Sequence, residues 1–188
     1  MPLYVELSCM ARVMEPPPGK LILSIIYSSM DALSDCLKTL ERRFGRVQFE
    51  TAEIECAVAE RYKEEMGNNI FRRFFSFEQH TPRSALTSIK GTCHKIEPNF
   101  SDHVDDFHFR TANIDPGIMT PNNLVMASHH EYGHSIYLTN GVYNELMLVW
   151  SQGRFVRLPW TPADFYDNEA VDLFERVRAT FELVEEPV

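Results

Sequence analysis

The stretch Leu21-Ile22-Leu23-Ser24-Ile25-Ile26-Tyr27 decides the fold. It has the length of a strand, it is rich in β-branched side chains, and its almost unbroken apolarity is typical of a central strand covered on both faces. In the segment that follows, Ser29 or Asp31 is a candidate N-cap, apolar residues recur at helical spacing, and Gly45 supplies a stop. The sequence therefore predicts a buried strand followed by an amphipathic helix.

Predicted strands and helices continue to follow one another through the first two thirds of the chain. The predicted segments are a strand between Val47 and Cys56, one or two helical turns over 60–67, a strand over 70–78, a helix from Thr81-Pro82 to Pro98, a polar loop over 99–106, a strand over 107–114, and a turn at Asp115-Pro116-Gly117. In order, these elements form a βαββαβ series, which is the ferredoxin-like arrangement. We therefore expect an α+β fold that begins with this series.

The last third predicts a C-terminal antiparallel β-meander and a closing helix. Asn140-Gly141 lies between two strand-like runs, and this dipeptide is a strong signal for a hairpin. A third strand-like run follows at 155–160, and an amphipathic helix follows from Asp167 or Asn168, with Pro187 as its stop. We predict a single domain over residues 19–188, preceded by an N-terminal arm over residues 1–18, which ends in three prolines.

Size, charge and cysteine content narrow the class of protein. A chain of 188 residues is the usual size of one domain. The net charge of −9 repels phosphate backbones and anionic membrane surfaces, so we expect no nucleic-acid and no membrane partner. The four cysteines, which include Cys36 among apolar helical positions, are irregularly spaced and predict reduced thiols. Without a signal-peptide pattern or a long apolar stretch, the expected location is cytoplasmic.

The segment His130-Glu131-Tyr132-Gly133-His134 matches the HExxH pattern of zinc hydrolases. On a helix, such a segment presents two imidazoles one turn apart as zinc ligands, and Glu145 or Asp115 is a candidate third ligand. Gly133 interrupts the pattern, however, and His134 runs directly into a strand-like segment. We therefore predict a loop with surface histidines, although residues 121–127 upstream are compatible with a helix. Zinc held by His130, His134 and Glu145 remains the alternative.

From Lys20 to about Phe181 the sequence resembles an uncharacterised bacterial family, domain of unknown function 4416. The residues that carry the resemblance are distributed along the chain: 20–21, 41–45, 62–67, 72–74, 76–78, 113–117, 124–127, 134, 136–138, 141–143, 145 and 158–161. The resemblance implies a match over the length of the fold but no assigned reaction, cofactor or substrate. Family members usually have lysine and aspartate in place of His130 and Glu131, and arginine in place of Ser135, so only His134 of the zinc motif agrees with the family.

Polar residues beside the predicted sheet ends are the candidate site. Asp115, His134 and Glu145 are the candidate catalytic residues, since a carboxylate and imidazole cluster binds a cation or polarises a substrate. Tyr137, Tyr143 and Arg72 are candidate ligand-binding residues; Arg72 and Arg73 point to opposite faces of a strand, so at most one of them lines a given pocket. In the structural alternative, Asp115 caps a turn, His134 and Glu145 form an ordinary ion pair, and Trp160 belongs to the core or to an interface.

Three functional hypotheses follow from the sequence. The first is a small cytoplasmic α+β protein that binds a small molecule or a protein partner and needs no cofactor. The second is the zinc-dependent hydrolase built on His130 to His134. The third is a homo-oligomer assembled through the edge of the C-terminal meander.

Overall fold

The computed structural model describes residues 14–104 and 107–181, which form a mixed α+β fold with a large antiparallel sheet. The strands are β1 (Gly19–Tyr27), β2 (Val47–Glu50), β3 (Ile54–Glu55), β4 (Phe71–Thr81), β5 (Ser101–Val104), β6 (Phe107–Arg110), β7 (Ala112–Met119), β8 (Asn123–Ser128), β9 (Ile136–Thr139), β10 (Val142–Ser151) and β11 (Arg154–Arg157). The α-helices are α1 (Met30–Phe44), α2 (Lys63–Met66), α3 (Leu86–Ile96) and α4 (Asn168–Ala179). In the described part of the predicted arm, residues 14–18 are exposed and have no regular secondary structure.

The predicted strand and helix at the start of the domain are confirmed. Every residue of β1 is buried. The Ser29 side chain accepts a hydrogen bond from the Ala32 N–H group at 3.5 Å, so Ser29 is the N-cap of α1. Gly45 ends the helix at a φ of 94°, a left-handed value that glycine adopts without steric cost.

The main sheet has the order β11-β10-β8-β7-β1-β4-β2, and every pair of neighbours is antiparallel. β3 also pairs with β4, and β9 also pairs with β10. β5 and β6 form a separate two-stranded sheet. The buried strand predicted from the sequence therefore lies in the interior of the sheet, between β7 and β4.

Helices cover both faces of the sheet. On one face, Leu23 and Ile25 of β1 pack against Leu40 of α1 and Cys93 of α3. On the other face, Phe74 and Phe155 pack against α4, with the Phe74 and Phe174 rings 5.2 Å apart. The unbroken apolarity of β1 is explained, because alternate side chains of this strand enter two different cores. In the described part of the chain, no helix combines the length and the apolarity that crossing a bilayer requires.

The C-terminal meander and the closing helix are also confirmed. Asn140 and Gly141 adopt φ values of 54° and 71°, which allow the tight turn between β9 and β10. Asp167 caps α4, with its carboxylate 3.0 Å from the Glu169 backbone nitrogen. The helix ends at Ala179, and the predicted stop at Pro187 lies outside the described residues.

Three predictions between residues 99 and 117 are wrong. The loop predicted over 99–106 contains β5, which pairs with β6 from Ser101 opposite Arg110. The strand predicted over 107–114 is two strands, broken at Thr111, and the predicted turn at Asp115-Pro116-Gly117 does not exist, since β7 runs through it. β8 pairs only with Gly117–Met119 of β7, so Pro116 has a neighbouring strand on one side only, which is β1. Because proline has no N–H group, it is tolerated at such a position, where no second neighbouring strand needs a hydrogen bond.

Gly117 serves close packing rather than a turn. A Cβ atom at this position would overlap the Met126 sulfur and lie 2.7 Å from the Val125 carbonyl oxygen of β8. The glycine therefore permits the close approach of β7 and β8, a function that a sequence pattern does not distinguish from turn formation.

Two further segments differ from their predictions. Residues 47–56 form the two short strands β2 and β3 instead of one, because the chain leaves the ladder between Glu50 opposite Phe75 and Ile54 opposite Arg72. The stretch 121–127, which was compatible with a helix, contains most of β8. Its apolar residues are shared between the sheet core and the face that packs on α3.

Candidate functional site

A cavity of about 700 Å³ lies where β7 and β8 separate. The two strands pair only over Gly117–Met119 with Leu124–Met126. Beyond that point residues of both diverging strands line the cavity, together with α3, the segment 57–62, the loop 128–134 and residues 160–165. The polar side chains of the cavity wall include Arg61, Tyr62, Arg72, Lys90, Glu97, Arg110, Asn113, Asp115, His134 and Glu145.

An ion pair between the buried Lys90 and the partly exposed Asp115 joins α3 to β7 in this cavity. The Lys90 Nζ atom lies 2.6 Å from Oδ1 of Asp115 and 3.3 Å from the Ile114 carbonyl oxygen. The Asn113 amide donates to the other carboxylate oxygen at 2.7 Å. Burial opposes ionisation of Asp115, but the Lys90 ammonium and the Asn113 amide outweigh it, so the Asp115 pKa lies below its ordinary value. The pKa of Lys90 is raised, because Asp115 and Glu97 outweigh its own burial.

Glu97 fixes the end of α3 against the same strand. Its Oε1 atom accepts a hydrogen bond from the Ile114 N–H group at 2.7 Å. Arg110 lies 3.8 Å from the other oxygen and also binds Glu65 at 2.8 Å. Burial raises the pKa of Glu97, and the Lys90 ammonium acts in the opposite direction. Lys90, Glu97 and Asp115, which line the cavity, therefore influence one another's ionisation.

Arg72 and Asp164 form a second buried pair. Nε of Arg72 lies 2.9 Å from Oδ2 of Asp164, although the angle is not that of a hydrogen bond. The guanidinium donates to Ser24 Oγ at 3.0 Å and lies 4.9 Å from the centre of the Phe165 ring. The Ala57 N–H group donates to the same Asp164 oxygen at 2.9 Å. This pair joins the 3₁₀ turn at 163–166 to the centre of the sheet.

Three side chains contact the His134 imidazole. Its Nε2 atom lies 2.9 Å from Oε2 of Glu145, whose side chain is 7% exposed. The imidazole ring lies nearly parallel to the rings of Tyr132 and Trp160, with centroid distances of 5.5 and 4.7 Å and interplanar angles of 2° and 10°. Trp160 is itself fixed by a hydrogen bond from Nε1 to the Leu146 carbonyl oxygen at 2.8 Å.

Comparison with known families matches residues 17–181 of the chain to the family described as domain of unknown function (DUF4416). The chain belongs to this family. The comparisons found no match for the DUF4416 protein among curated proteins or among solved structures.

Four of the candidate residues predicted for the DUF4416 protein come together. Asp115, His134, Glu145 and Arg72 all line the cavity, so residues distant in the sequence share one site. Arg73, by contrast, points away from the cavity to Glu50, as the alternation of a strand requires. The roles of these residues remain predictions.

Tyr137 and Tyr143, the other two candidates, do not line the cavity. They pair across the hairpin, with ring centroids 5.2 Å apart, and Tyr137 is 58% exposed. Tyr143 donates a long hydrogen bond of 3.4 Å to Glu131. The two tyrosines therefore belong to an outer surface of the meander.

The HExxH segment is a loop, as predicted. Residues 129–135 contain bends and a turn but no helix, so the two imidazoles are not presented one helical turn apart. His130 and His134 both line the cavity, whereas Glu131 does not. Within residues 14–104 and 107–181, no three His, Cys, Asp or Glu side chains are grouped as ligands for a metal ion. Nothing in these comparisons or contacts supports the zinc hydrolase alternative.

Sequence reasoning missed Lys90, Glu97 and Asp164, and it placed Trp160 in the core or an interface. Lys90 carried a usable signal, because it lies four residues after Leu86 and three before Cys93, on the buried stripe of α3. A charged residue at such a position needs a buried partner. Asp164 and Trp160 had no comparable periodicity, since they lie in a short 3₁₀ turn and the segment before it.

Proposed function

We propose that the DUF4416 protein binds a small polar molecule in the cavity between β7 and β8. The observation that carries this proposal is the cavity of about 700 Å³, with the pairs Lys90–Asp115 and His134–Glu145 on its wall, each made of one buried and one partly exposed side chain. Ligand sites in proteins are concave, have volumes of about 300–1,000 Å³, and carry a few placed polar groups on an otherwise apolar wall.

The charges on the wall favour a ligand that is polar but not highly charged. Lys90 and Arg72 each have a carboxylate partner, Arg110 has two, and the exposed Arg61 donates to the Tyr132 hydroxyl. A multiply charged ligand would have to displace these partners, because buried charges are stable only when paired. Hydroxyl, amide or single carboxylate groups instead fit the fixed donors and acceptors.

Trp160 supplies an intrinsic test of binding. The chain has two tryptophans, and Trp150 packs away from the cavity, beneath Arg178. In Trp150→Phe, Trp160 is the remaining indole and reports on the cavity wall. We expect small polar metabolites selected by saturation-transfer NMR to change its fluorescence in a saturable way. Trp160→Phe, in which Trp150 remains, should show no such change. The absence of any bound compound, or an equal change in both variants, would contradict the proposal.

We propose that this site holds no zinc ion. The looped backbone of residues 129–135 and the contact of Glu131 with Tyr143 support this, since HExxH chemistry needs the glutamate beside the metal.

We also propose that the first elements form the ferredoxin-like series. The order β7-β1-β4-β2, the antiparallel pairing, and the contacts of α1 and α3 with the same core support this assignment.

A further inference from the structure

His134 has the surroundings of a general base. A histidine acts as a base when one ring nitrogen is oriented by a carboxylate and the other is free to take a proton from the substrate. An ionised carboxylate only accepts hydrogen bonds, so Nε2 of His134 carries the proton that it shares with Glu145. In the neutral imidazole, Nδ1 then keeps its lone pair.

The remaining nitrogen, Nδ1, is accessible, and it belongs to a residue that lines the cavity. Nδ1 has no hydrogen-bond partner among the described residues, and it is not among the buried polar atoms without a partner. The His134 side chain is 23% exposed and lines the cavity. Solvent or a ligand therefore reaches Nδ1 without moving Glu145.

The aromatic rings fix the direction of the imidazole. Tyr132 and Trp160 lie nearly parallel to it, and both are held by hydrogen bonds of their own, from Arg61 at 3.1 Å and to Leu146 at 2.8 Å. A base held in one orientation does not lose rotational freedom when it reacts. An ordinary surface ion pair has no need of this arrangement, since exposed pairs form without fixed rings.

We propose that the cavity is a catalytic site in which His134 is the general base and Glu145 is its positioning residue, acting on a small uncharged ester, which is polar without adding charge to a wall whose carboxylates and cations are already paired. The inference rests on the proposed function, because the substrate has to occupy the cavity. In the step, a bound water gives a proton to Nδ1 as its oxygen bonds to the acyl carbon. The acyl–oxygen bond then breaks, and the alcohol oxygen leaves with the electron pair and takes up the proton from Nδ1.

Nitrogen NMR of the imidazoles tests the base without any substrate. In ¹⁵N-labelled protein, we expect the neutral form of the His134 imidazole to be protonated on Nε2 and unprotonated on Nδ1; the signal is assigned by its loss in His134→Asn. In Glu145→Gln the preference for this tautomer should weaken, because an amide both donates and accepts. A neutral His134 imidazole that is protonated on Nδ1 would overturn the proposal, whether or not a ligand binds the cavity.

Hydrolysis of 4-nitrophenyl acetate tests the catalytic step. We expect His134→Asn to lower the rate by about 10²-fold, the lower end of the usual contribution of a general base. His80→Asn, a change of an exposed histidine on β4 outside the cavity, should leave the rate unchanged. Equal rates for the native protein and His134→Asn would overturn the catalytic role, while binding detected by Trp160 would leave the proposed function standing.

Discussion

The Lys90 ammonium and the Asp115 carboxylate meet at 2.6 Å across the gap between α3 and β7, where the sheet opens into the cavity. Lys90→Met keeps an unbranched side chain, one atom shorter, but leaves Asp115 and Glu97 without their shared cation. We expect a loss of about 3 kcal/mol in the free energy of unfolding, the lower end of the range for a broken buried pair, because the Asp115 side chain is 27% exposed. Urea denaturation measures it.

The matched control for this change is Lys38→Met. Lys38 and Asp35 form an ion pair of similar length, 2.8 Å, but both side chains are 68% exposed. Water screens such a pair, so the loss should be at most about 1 kcal/mol. Equal losses for the two variants would contradict the burial of Lys90 in its ion pair.

The lowered pKa of Asp115 predicts a dependence of stability on pH. A carboxyl group with a lower pKa in the folded state stabilises the fold at pH values above its ordinary 3.8, and this contribution is lost as the pH falls through the folded value. The difference in unfolding free energy between native protein and Asp115→Asn should therefore be constant between pH 5 and 7 and shrink below 3.8. Urea titrations at several pH values measure it, and a difference that grows in acid would contradict the direction of the shift.

Gly117 should tolerate no side chain. In Gly117→Ala the new methyl group meets Met126 and the Val125 carbonyl, so we expect a loss of about 1–3 kcal/mol, as for other overpacked sites. Gly133→Ala is the control, because a Cβ atom there has no neighbour within 4 Å. Thermal unfolding of both variants checks this, and a neutral Gly117→Ala would refute the close approach of β7 and β8.

The thiols of Cys36, Cys56 and Cys93 should be unreactive in the folded protein. All three are free and buried, and burial raises the pKa of Cys36 to about 12. We expect 5,5′-dithiobis(2-nitrobenzoate) to modify them only after unfolding. Cys9 lies outside the described residues, so Cys9→Ser is the background for this measurement. Rapid modification of three thiols in the folded variant would contradict the burial.

The proposed absence of zinc is tested by elemental analysis of protein purified without an affinity tag. We expect far less than one zinc ion per chain, both in native protein and in His134→Asn. One equivalent of zinc that disappears with His134→Asn would contradict the proposal and restore the metal-dependent alternative.

The sequence predicted those elements whose signals are local. β1, α1, the hairpin at Asn140-Gly141 and α4 each carry a cap, a periodicity or a turn dipeptide of their own. The path of β7 was not predictable in this way, because Asp115-Pro116-Gly117 has the composition of a turn. Its extended form depends on β1 and β8, which lie far away in the sequence.

Only part of the candidate site was predictable, because contacts between segments far apart in the sequence bring the rest of its residues together. The contact between His134 and Glu145, which the structural alternative predicts, is present. Lys90, Glu97 and Asp164 join the site only through tertiary contacts of α3 and the 3₁₀ turn. Tyr137 and Tyr143 share the hairpin with His134 but lie outside the cavity, which the sequence alone did not distinguish.

The most direct test of ligand binding in the cavity is to place a large side chain at its opening. Ala163 is exposed and lines the cavity, so Ala163→Trp narrows the opening with little effect on the core. Ala179→Trp makes the same change at an exposed end of α4, away from the cavity. For compounds that bind the native protein, isothermal titration calorimetry should show affinity lost in Ala163→Trp and kept in Ala179→Trp. Affinity that is unchanged in Ala163→Trp would show that the ligand binds elsewhere.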